Sequence, residues 1–122
     1  MARILIADDA SFMREMIREI VEAAGHEVVG EASDGEDAFA EFKRVKPELV
    51  TMDIVMPRCS GIDSTKKIIE LDAGACVVMC SALGQESLVA EALEAGARDF
   101  VVKPFKPDDV LATIAKALAK QG

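Results

Sequence analysis

Short runs of β-branched and other apolar residues alternate along this chain with segments whose apolar residues recur at helical spacing. That alternation is the pattern of repeated strand–helix units around a parallel sheet. The first strand is expected at Ile4, Leu5, Ile6 and Ala7. Met13, Met16, Ile17, Ile20, Val21 and Ala24 then keep the i, i+3, i+4, i+7 spacing of one helix face, with Ser11 as the expected N-cap and Gly25 as the stop. Glu27 to Ala32 gives a second strand, Ser33-Asp34-Gly35 a turn, and Ala38, Phe39, Phe42 and Val45 a second helix that ends before Pro47. Leu49 to Met52 is the third strand. A loop with Pro57 and Gly61 leads to a third helix through Ile68, Ile69 and Leu71, and Cys76 to Cys80 forms a wholly apolar fourth strand. Leu88, Val89, Ala92 and Leu93 mark a fourth helix closed by Gly96, Asp99 to Val102 a fifth strand, and Pro107 opens a fifth helix through Val110, Leu111, Ile114 and Leu118. Five such units occupy the 122 residues and leave over only Gln121 and Gly122, so one domain spanning 1–122 is expected, with no output domain attached.

Charge removes several classes of function. Lys and Arg number 14 against 22 Asp and Glu, a net −8, which is the wrong sign for gripping a phosphate backbone; no nucleic-acid partner is expected. No apolar stretch approaches the ~20 residues of a membrane span, and the run at the N-terminus is too short for a signal-peptide core. Cys59, Cys76 and Cys80 are odd in number and contain no CxxC, which points to a reducing compartment and a cytoplasmic protein.

The chemistry collects where strands stop. Asp8 and Asp9 follow the first expected strand, Asp53 the third, Ser81 the fourth and Lys103 the fifth, all at carboxyl ends. In an open α/β sheet those ends line one edge, and ligands bind where the strand order reverses. Three carboxylates gathered there repel one another unless a cation neutralises them. Oxygen donors without His or Cys nearby favour Mg²⁺ over zinc. A carboxylate beside such a metal can attack phosphorus, with an ammonium and a hydroxyl stabilising the transferred oxygens, so the constellation points to phosphoryl transfer onto an aspartate.

In this order, Asp8-Asp9, Asp53 followed by Met56-Pro57 and Gly61, Cys80-Ser81-Ala82 and Lys103-Pro104-Phe105 resemble the receiver domain of response regulators. The resemblance covers about the whole chain and implies a doubly wound, flavodoxin-like α/β fold: a five-stranded parallel sheet of order 2-1-3-4-5 with five helices. It also implies that Asp53 is the phosphoacceptor, that a sensor histidine kinase is the donor, and that Asp9, Asp53 and the Val55 carbonyl hold Mg²⁺ while Asp8 acts through metal-bound water. By the same resemblance Lys103 pairs with Asp53 and then, with Ser81 and the Ala82 backbone N–H, engages the phosphoryl group, Phe100 sits at the aromatic switch position, and the Lys103–Pro104 bond is cis. The stretches ASFMR, VTMDI, CSALGQ and DFVVKPF are most similar to stand-alone chemotaxis regulators of the CheY type. Such a protein is expected to be a monomer that signals to a motor-switch or adaptor protein through the face formed by the fourth helix, fifth strand and fifth helix. It is not an enzyme beyond catalysing its own phosphorylation and dephosphorylation.

Plainer roles stand beside these. An Asp pair after a strand also suits the start of a helix, Ser81 suits the start of the fourth helix, and Phe100 could be core. His26 is expected in a turn, Cys76 and Cys80 in the core, and Cys59 in a loop near the site, where it could be oxidised but where nothing indicates a lowered thiol pKa. A single-domain phosphorelay intermediate shares every motif. An aspartyl-nucleophile phosphatase would need DxD after the first strand and a cap. A flavin carrier would need a phosphate-cradling first loop where Asp8 and Asp9 stand, and this chain has no Trp or Tyr to stack on the ring.

Overall fold

The computed structural model describes residues 1–119. Its elements run β1 (Arg3–Ala7), α1 (Ser11–Ala23), β2 (Glu27–Ala32), α2 (Gly35–Val45), β3 (Leu49–Asp53), α3 (Gly61–Leu71), β4 (Val77–Ser81), α4 (Glu86–Glu94), β5 (Asp99–Val102) and α5 (Pro107–Ala119). The sheet is parallel throughout, in the order β2-β1-β3-β4-β5. This is the doubly wound fold that the resemblance implied.

Alternation along each strand builds two cores. Leu5, Val50, Met52, Val77 and Met79 face one side, where Ala38, Phe42, Ile62, Ile68, Val89 and Ala92 of α2, α3 and α4 cover them. Ile4, Ile6, Leu49, Cys76, Val78, Cys80 and Val101 face the other, covered by Ile17 and Val21 of α1 and by Val110, Ile114 and Ala117 of α5. Covering both faces leaves β3 and β4 buried at all five positions, which is why both contain near-continuous apolar runs. Cys76 and Cys80 are core residues as expected, and burial pushes the Cys80 thiol up to about 12.

Three sequence expectations need correction. Asp53 and Ser81 do not follow their strands; each is the last strand residue, with Asp53 paired to Cys80 and Ser81 to Val102. The ladder is made by backbone, so it continues past the point where the apolar pattern stops. Ser11 is the first residue of α1 and not its N-cap: Ala10 holds that position without a side-chain cap, and the Asp8 carboxylate accepts the Ala10 N–H at 2.9 Å. Ser81 does not start α4, whose N-cap is Gln85. Gln121 and Gly122, taken as leftover chain, lie outside the described residues.

The chain reverses direction at β1. From there one crossover leads outward to β2 and the next passes over β1 to β3, placing α1 and α2 on opposite faces. The carboxyl ends of β1 and β3 therefore open onto a shared crevice.

Candidate functional site

Asp8 leaves β1 with its N–H bound to the Ala32 carbonyl at the end of β2, and its carboxylate is almost wholly buried. Asp53 closes β3 one strand away and is 8% exposed. Lys103 leaves β5 with its N–H donating to the Ser81 carbonyl at 2.7 Å, and its ammonium reaches back over the sheet edge to Asp8 Oδ2 and Asp53 Oδ1, each at 3.2 Å. Asp9 completes the group as its exposed member: carboxylate oxygens of Asp8, Asp9 and Asp53 lie within 4.8 Å of one another. The structure thus brings together Asp8, Asp9, Asp53 and Lys103, which the sequence placed at strand ends and the strand order implied by the resemblance made neighbours. The Lys103–Pro104 peptide is cis.

Three carboxylates against one ammonium leave an excess of negative charge. Burial, then the nearby Asp8 charge, pushes the Asp53 carboxyl up to about 6 against the pull of Lys103. Burial works against the Lys103 ammonium, but the Asp53 and Asp8 charges outweigh it and hold its pKa above the ordinary lysine value. A carboxyl that binds its proton more tightly folded than unfolded favours the fold at low pH and costs stability as pH rises from about 4 through about 6. Between about pH 4.5 and pH 7 the metal-free protein should therefore lose about 2 kcal/mol more stability than Asp53→Asn, at ~1.4 kcal/mol per pKa unit. Urea unfolding of both proteins at the two pH values measures it; equal losses would mean that Asp53 is not held in a charge-rich pocket.

The donor set fits a hard divalent cation. Asp8 already accepts the Ala10 N–H and the Lys103 ammonium, and Asp53 accepts the same ammonium, whereas Asp9 makes no hydrogen bond or ion pair among the described residues. Its oxygens are available. Oxygen-only ligation at a site with surplus negative charge suits Mg²⁺.

Ser81 is buried at the end of β4, its hydroxyl donating to the Val101 carbonyl at 3.4 Å. Phe100 is not core: it is 38% exposed and lines an open groove of about 270 Å³ with Ser81, Ala82, Val89 and Leu93. Val55 and Leu83 are exposed in the loops after β3 and β4. His26 precedes β2, its Nδ1 accepting the Ala2 N–H at 3.0 Å. Cys59 is buried, and burial raises its thiol pKa, in keeping with a sequence that offers nothing to lower it.

Several contacts escaped the sequence. The Lys103 bond to Asp8 depends on strand order, which no local pattern contains. Gly61 packs so closely that a Cβ there would lie 1.9 Å from the Asp53 carbonyl oxygen, while its N–H donates to the Ile54 carbonyl at 2.8 Å. The loop from Ile54 to Ser60 is thereby folded back against the end of β3. Arg58, at φ 67°, binds Asp34, the N-cap of α2, and ties that loop to its neighbour. The Asp37 N–H, then Arg58, keeps the Asp34 carboxyl below the usual carboxylate range.

A doubly wound sheet with an Asp cluster and a lysine at its switch-point edge defines the class of receiver domains. Residues 4–115 match the response regulator receiver domain, and the chain belongs to that family. Within it, the chain is similar to the chemotaxis protein CheY of Bacillus subtilis, 53% identical over 116 residues covering 95% of this chain and 97% of that one. It is 50% identical to the chemotaxis protein CheY of Thermotoga maritima over 114 residues, 93% of this chain and 95% of the other. Among solved structures it is similar to the CheX–CheY–BeF₃–Mg²⁺ complex of Borrelia burgdorferi, with a TM-score of 0.89 at 37% identity over 93% of this chain and 87% of that one. The protein is a response regulator, a signalling domain and not a conventional enzyme. Receiver domains bind Mg²⁺ through an acidic cluster of the kind seen here. No helix among the described residues is long and apolar enough to cross a membrane.

Proposed function

We propose that this protein carries a chemotaxis signal by accepting a phosphoryl group on Asp53 from a phosphohistidine of a sensor kinase. The observation that carries the reading is the position of Asp53: a nearly buried carboxylate at a strand end, 3.2 Å from the Lys103 ammonium and clustered with Asp8 and Asp9. At neutral pH a carboxyl titrating at about 6 is mostly ionised and nucleophilic. An Asp53 oxygen attacks phosphorus, the P–N bond of the phosphohistidine breaks, and its electron pair returns to the imidazole, which takes up a proton. The product is an acyl phosphate on Asp53.

Asp9, Asp53 and the Val55 carbonyl would hold Mg²⁺, with Asp8 acting through water; bound there, the ion supplies positive charge against the phosphoryl oxygens. Lys103 turns from the carboxylates to those oxygens. Ser81 releases the Val101 carbonyl and donates its hydroxyl to the phosphoryl group, as Ala82 does its N–H. Movement of Ser81 opens room beside it in the groove, and the exposed Phe100 ring turns inward. The altered α4–β5–α5 face then docks on a motor-switch or adaptor protein. Similarity of about half of all residues to chemotaxis proteins over nearly the full chain supports this role and a cytoplasmic location. All of the machinery lies in the one domain, which acts as a monomer.

Label transfer from a phosphorylated chemotaxis histidine kinase, read together with pull-down of motor-switch and CheX-type proteins by the beryllium fluoride form, tests the reading. Transfer followed by state-dependent capture is expected. Label that passes onward to a phosphotransfer histidine, without capture, would replace it with a phosphorelay role.

The lifetime of the phosphorylated form should be long. Hydrolysis needs a water in line with the leaving carboxylate, and the apolar side chains of Val55 and Leu83, exposed in the loops beside Asp53 and Ser81, give it no hydrogen-bonding partner. Val55→Asn with Leu83→Glu is expected to shorten the lifetime about tenfold, or ~1.4 kcal/mol of barrier. Loss of label with time in Mg²⁺ and no phosphatase measures it, and an unchanged lifetime would show that these side chains do not control water access.

A further inference from the structure

The Ala82 N–H already has a partner, the Gln85 side chain: Gln85 Oε1 accepts it at 2.7 Å. The same two residues are joined a second time, because the Gln85 N–H donates to the Ala82 carbonyl at 3.3 Å. Between them lies Gly84 at φ +88°, a left-handed conformation at the third position of a four-residue turn that only glycine adopts without strain. The β4–α4 loop is thus closed on itself from both ends. Gln85 is also the N-cap residue of α4, yet its side chain makes no cap hydrogen bond to that helix. Its carboxamide points back toward the strand end and leaves the helix start uncapped, which is the reverse of what an N-cap side chain ordinarily does.

We infer that Gln85 is a latch on the phosphoryl-binding donor: its carboxamide oxygen holds the Ala82 N–H in the resting protein and must leave before that N–H can reach the phosphoryl group. The inference rests on the proposed role of Asp53 as phosphoacceptor and adds a positioning residue to it. A donor has one hydrogen to give along one direction, so the Gln85 oxygen and a phosphoryl oxygen exclude each other. Releasing the carboxamide also frees one of the two ties that hold the loop. Arrival of the phosphoryl group at the strand end is in this way coupled to loosening of the segment that leads into α4. Since this bond is exposed and Gln85 is only partly buried, the freed carboxamide is hydrated at little cost, and the latch is weak enough to be displaced.

Equilibrium binding of beryllium fluoride in Mg²⁺ to the full chain tests this. Gln85→Ala removes the competitor and should tighten binding about fivefold, the scale of one net hydrogen bond. Gln85→Glu puts a charge-assisted acceptor on the same N–H and a like charge beside the incoming anion, so binding should weaken several-fold. Affinity for Mg²⁺ alone should be the same in the parent and Gln85→Ala. The Ala82 amide resonance gives a readout that a merely structural role would not move: it should differ between parent and Gln85→Ala without fluoride and coincide once beryllium fluoride is bound. Equal or weaker binding by Gln85→Ala would overturn the latch, the weaker case meaning that the carboxamide contacts the bound group. A parent that binds no beryllium fluoride would overturn the phosphoacceptor reading, and the latch with it.

Discussion

Acid-labile labelling by acetyl phosphate is expected to disappear in Asp53→Asn. The amide has nearly the shape of the carboxylate, but its nitrogen lone pair is delocalised and its oxygen uncharged, so the nucleophile is lost without opening a cavity in the sheet edge. Asp8 and Asp9 should not substitute. Asp8 is buried with its oxygens on the Ala10 N–H and the Lys103 ammonium, and Asp9 is exposed and makes no contact with Lys103. Asp53 alone pairs with Lys103 from the strand that neighbours β4, at whose end Ser81 lies. The Asn variant should remain folded and, on the pH argument above, be the more stable metal-free protein at neutral pH. Labelling retained in the folded variant would move the acceptor elsewhere.

Mg²⁺ affinity should fall at least tenfold, and toward a hundredfold, in Asp9→Ala. Loss of groups that merely orient metal ligands already costs that range, so a direct ligand should cost no less. Asp9 carries this weight because neither of its oxygens meets a protein donor among the described residues, whereas Asp8 and Asp53 each give an oxygen to the Lys103 ammonium. As Asp9 is exposed, its removal leaves the core intact and relieves repulsion in the cluster. Amide chemical shifts followed through a Mg²⁺ titration give the affinity, and labelling by acetyl phosphate at fixed Mg²⁺ should fall in parallel. Unchanged affinity would put the metal elsewhere.

These expectations divide by origin. The sequence by itself determined the ten elements and the side chains that matter at their ends, because helix and strand periods are local and a carboxylate closing the apolar run Leu49–Met52 is visible without a fold. It misplaced Ser11 and the ends of β3 and β4, since caps and ladders depend on which backbone groups find partners, and those partners lie elsewhere in the chain: the Asp8 carboxylate for Ala10, Cys80 for Asp53, Val102 for Ser81. Only the tertiary structure decided that the Lys103 ammonium, which the resemblance paired with Asp53, also reaches Asp8, that the Phe100 ring faces a groove and not the core, and that the Ala82 N–H is held by Gln85. The physical reason is range. Periodicity and turn chemistry act over a few residues, whereas Lys103 and Asp8 stand 95 residues apart and meet only because strand order and twist bring their carboxyl ends to one edge.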